Sequence, residues 1–397
     1  DIGPCLSPMA YFAQFHLDAP AVAMVTASHN PATYNGIKFS RAGAQGISFA
    51  TGLKAIRDRA QTYLAEGIVA LDAVGSQREV DVLGDYAGYL RELVDLKSIR
   101  PIRVVVDAGN GMGGLTVPAV LSTAAGLPEL PIEIIPMYFE LDGTFPNHEA
   151  NPLDPANIVD LQKAVLEHGA DLGLAFDGDA DRCFVVDEQG NPMSPSAVAA
   201  VVALREIQRV RASQPEGDIF VIHNLITSRI VAETIEAAGA IPVRTNVGHS
   251  LIKDQMAATG AIFGGEHSAH YYFRDFWGAD NGMLAAMHLL AEFGSQPEPL
   301  SVLSARYSPY AASGEINSVV DDVPAATARI RAAFEGEAEF DELDGLTVTG
   351  TTAEGEPFWW FNVRPSNTEP LLRLNAEAES QSTLDAVRDR ALAIIRA

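Results

Sequence analysis

The chain has 397 residues and carries 27 Lys plus Arg against 52 Asp plus Glu, a formal net charge of −25. That balance excludes a general nucleic-acid binder, which needs a basic face to release phosphate counterions, and it disfavours docking on an anionic membrane surface. At 47% hydrophobic and 20% charged the composition is globular, and the length calls for two to four domains.

In chain order, strands and helices alternate for about three quarters of the length. Ala21-Val22-Ala23-Met24-Val25 reads as a buried strand and Leu53 to Leu64 as a helix. Arg103 to Val106 is a strand that runs into the glycine-rich loop Asp107 to Gly114. A helix over Asn157 to Glu167 is stopped by His168-Gly169. Strands follow at Leu172 to Phe176 and Cys183 to Val186, then a helix from Ala197 to Val210. A strand at Asp218 to Ile222 and a helix at Ser228 to Ala238 complete the alternation. Such βαβ order implies parallel or mixed sheets covered by helices. The pattern then changes. A helix at Ala325 to Phe334, paired strands at Leu346 to Gly350 and Phe358 to Val363, and a final helix at Ser382 to Arg396 describe a small α+β domain. Composition shifts place the domains at residues 1–97, 98–193, 194–310 and 311–397. The βαβ units look alike, but no residue-level repeat is convincing.

Apolar runs such as Val198 to Leu204 are far short of the ~18 residues of a membrane span. Asp1-Ile2-Gly3-Pro4-Cys5 has neither the basic nor the apolar region of a signal peptide. With only Cys5 and Cys183 there is no disulfide framework, and a reducing cytoplasm is the expected compartment.

Four short polar segments carry candidate chemistry. Thr26-Ala27-Ser28-His29-Asn30-Pro31 puts a serine in a turn after a buried strand, with His29 and Lys38 near enough in sequence to move protons; an ordinary Ser-Asn-Pro turn is the alternative. Only five of the basic residues are Lys, which draws attention to Lys38. Asp177-Gly178-Asp179-Ala180-Asp181-Arg182 gathers three carboxylates that suit one hard divalent cation. An EF-hand count almost works through Glu188, but Arg182 stands where that loop needs Gly, and the flanks are strands. Gly265-Glu266-His267-Ser268-Ala269-His270 offers hydroxyl-binding and acid–base groups. Arg364-Pro365-Ser366-Asn367-Thr368-Glu369-Pro370, with Arg373, has the composition of a phosphate cradle. Solvated loops are the alternative for each of the last three. Gly109-Asn110-Gly111-Met112-Gly113-Gly114 satisfies G-x-G-x-x-G, yet no acidic residue ends a second strand about 20 positions on, so it reads as a tight strand-to-helix turn.

Together and in this order, the four segments resemble the α-D-phosphohexomutase superfamily, in its bacterial phosphomannomutase/phosphoglucomutase branch. The resemblance spans essentially the whole chain. It implies three related α/β domains with mixed or parallel sheets and a C-terminal α+β domain around a central cleft. It departs in two places. Ala269 stands where the family usually has Gly. Ser28 comes only 27 residues into the chain, so the first domain is expected to lack an N-terminal βαβ unit.

The resemblance implies a phosphohexomutase that interconverts hexose 1- and 6-phosphates, of mannose and also glucose, through a phosphoserine at Ser28 and a hexose 1,6-bisphosphate that serves as intermediate and activator. Mg²⁺ would bind Asp177, Asp179, Asp181 and the phosphorylated Ser28. Arg182 would add a donor, Lys38 and His270 would be the acid–base pair, and His29 would orient the serine loop. His249, Glu266 and Ser268 would meet the sugar. Arg364, Ser366, Asn367, Thr368 and Arg373 would hold the phosphate that is not transferred. The implied partners are small hexose phosphates, with no nucleic acid and no membrane. Open alternatives are a phosphoglucosamine mutase, a metal-dependent sugar phosphatase and a non-catalytic sugar-phosphate-binding fragment.

Overall fold

The structure is a computed structural model that describes residues 1–68, 75–350, 357–366 and 371–397. The first unit opens with helix α1 (Ser7–His16), where Pro8 sits in the first turn, the one place its missing N–H costs nothing. Strands β1 (Ala21–Val25), β2 (Ile37–Arg41) and β3 (Gln45–Gly46) form an antiparallel sheet, and α2 (Lys54–Glu66) and α3 (Leu83–Leu93) follow. No residue of α2 is buried. This sheet departs from the parallel or mixed order expected for the unit. The Thr26 to Gly36 connection is a hairpin loop, too short for the crossover that parallel neighbours require.

The second unit holds β4 (Ile102–Asp107), α4 (Gly113–Leu121), β5 (Ile132–Met137), α5 (Val159–His168), β6 (Leu172–Phe176), β7 (Cys183–Asp187) and β8 (Pro192–Met193), in sheet order β5-β4-β6-β7-β8. The third holds α6 (Pro195–Ser213), β9 (Phe220–Asn224), α7 (Arg229–Ala237), β10 (Ile241–Thr245), α8 (His249–Thr259), β11 (Phe263–Gly265), β12 (Tyr271–Phe273), β13 (Ala279–Asp280), α9 (Gly282–Gly294) and α10 (Leu300–Arg306). Its order is β10-β9-β11-β12-β13. The two sheets share one topology. A central strand pairs in parallel with both neighbours, and the third strand turns back antiparallel into the fourth. That turn is the Asp177–Arg182 loop in one unit and the Glu266–His270 loop in the other. The fold is thus duplicated although the residues are not.

The last unit is an antiparallel sheet, β14-β18-β17-β16-β15, made from β14 (Ala311–Val319), β15 (Ala338–Asp341), β16 (Leu346–Gly350), β17 (Trp359–Pro365) and β18 (Leu371–Ala378). Helices α11 (Val323–Phe334) and α12 (Gln381–Ile395) bury Ile330, Phe334, Leu384 and Ala391 in its separate core. One continuous core joins the first three units. The last unit is tied to the third by Val247 N–H donating to Asp344 (3.0 Å) and Arg229 N–H to Glu377 (2.9 Å). No described helix is long and apolar enough to cross a membrane.

Candidate active site

Ser28 sits in the β1–β2 loop with φ 53°, a left-handed conformation that costs a non-glycine residue roughly 1–2 kcal/mol. The loop is held there by specific bonds. Ser28 N–H donates to Thr26 Oγ1 (2.8 Å), and Asn30 Nδ2 donates to the Ala27 carbonyl (2.8 Å). His29 Nδ1 lies 3.4 Å from Ser28 Oγ. Burial and the nearby Arg182 charge lower the His29 pKa to about 4, so the ring is neutral at pH 7.

The β6–β7 loop comes up against this serine. Gly178 has no side chain, and a Cβ there would lie 2.4 Å from the Ser28 carbonyl oxygen. The glycine-rich turn after β4 packs equally close: a Cβ on Gly111 would lie 2.6 Å from the Gly178 oxygen, and Met112 N–H donates to that oxygen at 2.9 Å. These glycines therefore let three loops meet, which explains the G-x-G-x-x-G pattern without a dinucleotide.

Asp177, Asp179 and Asp181 are all buried, with one oxygen of each within 4.8 Å of the others. Asp177 accepts from Arg182 N–H (3.1 Å) and Arg182 Nε (2.8 Å). Lys38 Nζ donates to Asp179 Oδ2 (2.6 Å) and Asp181 Oδ2 (2.8 Å). Burial pushes the Asp177 pKa up to about 8, Arg182 opposes the rise, and the Asp181 and Asp179 charges add to it. Burial would raise Asp181 too, but Lys38, His270 and Arg182 together outweigh it and hold that carboxyl below the usual range. Burial alone would lower the Lys38 pKa. Asp181 and Asp179 reverse this and keep the ammonium protonated. Asp179 Oδ1 and Asp181 Oδ1 are buried without a hydrogen-bond partner. Bare carboxylate oxygens in a crowded acidic pocket fit a hard divalent cation of the Mg²⁺ kind. Glu188, the would-be twelfth ligand of an EF-hand, instead accepts from Ser301 N–H (3.0 Å) and Ser301 Oγ (2.5 Å).

The β11–β12 loop meets the acidic loop through a backbone bridge between Arg182 and His270. His270 Nε2 lies 3.8 Å from Asp181 Oδ1, and its Nδ1 lies 3.1 Å from Ser268 Oγ. The Glu266 carboxylate is pinned: Asn224 Nδ2 (3.2 Å) and Gly248 N–H (3.4 Å) donate to Oε1, and Tyr272 O–H (2.7 Å) to Oε2. His267 turns away and lies 3.0 Å from Ser196 Oγ. Ala269 adopts φ 66°, the conformation that favours glycine, and its methyl is fully buried in the main core. His249 opens α8, but its side chain lies outside what the structure describes.

The β17–β18 segment forms a separate cluster. Arg364 Nη2 donates to Glu315 Oε2 (3.2 Å), Arg373 Nη1 lies 3.5 Å from Glu315 Oε1, and Arg373 Nη2 donates to Ser366 Oγ (3.3 Å). Asn367 and Thr368 lie outside the described residues. Ser28, His29, Lys38, the three Asp, Arg182, Glu266, Ser268 and His270 are thus linked contact by contact. Arg364, Ser366 and Arg373 gather around Glu315 in the last unit. Sequence reading missed Glu315, Ser7 and the buried Lys253–Asp280 pair (3.2 Å), whose Asp280 clusters with Asp181 and His270. No local pattern marks Glu315 or the Lys253–Asp280 pair, whereas Ser7-Pro8 carries a helix-start signal.

Family models for phosphoglucomutase/phosphomannomutase match the chain in order: α/β/α domain I over residues 1–66, domain II over 85–190, domain III over 194–310 and the C-terminal domain over 315–394. The chain is 41% identical over 387 residues to phosphohexose mutases of Xanthomonas campestris, covering 97% of this chain and 82% of the relative. It is 37% identical over 394 residues to a phosphomannomutase of Salmonella typhimurium, covering 99% and 83%. A phosphoglucomutase/phosphomannomutase family protein from Burkholderia thailandensis superposes with TM-score 0.79 at 28% identity, over 99% of this chain and 82% of that one. On its four ordered domains and these likenesses over nearly the whole of this chain, the chain belongs to the phosphoglucomutase/phosphomannomutase family and is a hexose-phosphate mutase.

Proposed function

We propose that this mutase works through a phosphoryl group carried on Ser28, and that its substrates are mannose 1-phosphate and glucose 1-phosphate. The observation that carries the reading is the contact of Gly178 with the Ser28 carbonyl, which seats the serine loop on the three-aspartate loop. In the first half-reaction the phosphorus–Oγ bond of phosphorylated Ser28 breaks as a bond forms to the C6 hydroxyl oxygen of the hexose 1-phosphate. The hydroxyl proton passes to a base, and Ser28 Oγ takes up a proton. The resulting 1,6-bisphosphate turns over in the cleft. In the second half-reaction the bond between phosphorus and the C1 oxygen breaks as a bond forms to Ser28 Oγ; the serine proton passes to a base, the C1 oxygen takes up a proton, and the 6-phosphate is left.

Asp177, Asp179 and Asp181 would hold a Mg²⁺ ion, which supplies charge neutralisation to the phosphoryl oxygens. Lys38 is locked protonated between two carboxylates. That makes it a fixed cation and a hydrogen-bond donor, and leaves His270 to exchange the protons. His29, neutral and beside Ser28 Oγ, orients the serine. Glu266 and Ser268 would take sugar hydroxyls, together with His249. Arg364, Ser366, Asn367, Thr368 and Arg373 would grip the other phosphate, releasing Glu315 as they do so. We assign the protein to the cytoplasm, in keeping with two buried, unpaired cysteines.

A mutase moves the phosphoryl group without releasing it, whereas a phosphatase built on the same serine gives it to water. With mannose 1-phosphate and catalytic hexose 1,6-bisphosphate, mannose 6-phosphate should form with no stoichiometric inorganic phosphate. Release of phosphate at the rate of substrate loss would refute the proposal.

A further inference from the structure

We infer that Ser7, at the start of α1, is a positioning residue that sets which oxygen of Asp179 faces the cation; this rests on the metal reading of the three-aspartate loop. Ser7 is 1% exposed, and its contacts cross 172 positions of sequence. Its Oγ donates to Asp179 Oδ2 at 2.6 Å, and its N–H donates to the Asp179 carbonyl at 3.1 Å. Lys38 Nζ lies 3.2 Å from the same hydroxyl.

A serine at a helix start ordinarily serves its own helix. This one does not. The cap of α1 is Leu6, and the helix has no side-chain cap bond. The hydroxyl and a free first-turn N–H both go to Asp179 instead.

The consequence lies in how the two oxygens of Asp179 are divided. Oδ2 accepts from Ser7 Oγ (2.6 Å), Lys38 Nζ (2.6 Å) and Thr26 Oγ1 (3.2 Å). Oδ1, equally buried, accepts nothing. Asp181 repeats the division with one donor, Lys38 on Oδ2, and an Oδ1 that accepts no hydrogen bond, His270 Nε2 lying 3.8 Å away. Three donors hold the Asp179 carboxylate in one rotamer and leave one oxygen for a cation. Without them the buried group would be free to turn, and the ion would have to order it on binding. Donors behind a metal ligand typically contribute 10–100-fold in metal affinity. Lys38 and Thr26 belong to the serine-bearing hairpin and carry other duties. Ser7 is the donor contributed by α1, and it makes that helix part of the site.

The test is Mn²⁺ binding to the full chain without sugar phosphate, read as free Mn²⁺ by electron paramagnetic resonance, for wild type, Ser7→Ala, Ser7→Cys and Asp179→Ala. Ser7→Ala should bind about tenfold more weakly or worse. Ser7→Cys, which fills the same space with a feeble donor, should behave like Ala. Both should regain most of the wild-type kcat at saturating metal. If either folded variant binds Mn²⁺ within twofold of wild type, the inference is wrong, and Ser7→Cys decides the matter should Ser7→Ala fail to fold. If Asp179→Ala also binds like wild type, the metal reading itself is wrong; if Asp179→Ala loses binding and the Ser7 variants keep it, only the role of Ser7 falls.

Discussion

Replacing Gly178 with alanine should separate catalysis from folding. The added Cβ would stand 2.4 Å from the Ser28 carbonyl oxygen, about 1 Å short of ordinary contact. The obstructing atom is backbone, so no side chain can swing aside. The next neighbour, Ala150 Cβ at 3.5 Å, is undisturbed. The serine loop must therefore move about 1 Å from the acidic loop, and a displacement of that size costs on the order of 10²-fold in rate when reacting groups are involved. The stability cost of such overpacking is about 1–3 kcal/mol. Gly88→Ala is the control. It lies within α3 with nothing within 4 Å of its built Cβ, and should stabilise by ~0.5–1 kcal/mol with unchanged rate. The assay is kcat/KM for hexose 1-phosphate with saturating bisphosphate, beside a thermal unfolding midpoint. A folded Gly178→Ala enzyme within threefold of wild type would show that the loop contact does not set the geometry of transfer.

Mannose and glucose differ at C2, and Glu266 and Ser268 are expected to hold hydroxyls that the two sugars share, so kcat/KM for the two 1-phosphates should differ by less than roughly 10³-fold, about 4 kcal/mol; a larger preference would reveal a C2 contact, sought first at His249. Two buried histidines should each contribute a loss of stability in acid. Burial holds the His223 pKa down to about 4 and the His288 pKa down to about 3, while both titrate near 6.5 when unfolded. From about 6.5 downward the unfolded chain binds protons that the folded chain refuses, so stability declines through that window and levels off below it. Between pH 7.5 and 5 the wild type should lose of order 1–2 kcal/mol more than a His223→Gln or His288→Gln variant, a comparison that cancels the opposing rise from Asp177; the same change in variant and wild type would contradict the assignment.

The four polar segments were legible because each interrupts an apolar strand, and a run of Asp, Gly, Ser or Arg at a strand end has few purely structural uses. The tertiary partners were not. Nothing near Lys38 in sequence announces that its ammonium lies between two carboxylates 141 and 143 positions away. Glu315 is equally silent: it faces Arg364 only because β14 pairs with β18. The likeness of the βαβ units was legible, but not the strand order that the second and third sheets share, because that order follows the pattern of buried positions, which many sequences satisfy. Helix α1 was missed although Ser7-Pro8 followed by Met9, Phe12 and Ala13 carried a start signal and an apolar face. The short segment was overshadowed by the motif after it. Ala269 turns its methyl into the core while keeping the left-handed φ of 66° that glycine would take.

The central claim is that Ser28 carries the transferred phosphoryl group. Incubating the protein with hexose 1,6-bisphosphate labelled with radioactive phosphorus, then mapping peptides, should place one label on Ser28, and Ser28→Ala should take up none. Labelling of the alanine variant at the wild-type rate would put the nucleophile elsewhere and overturn the account.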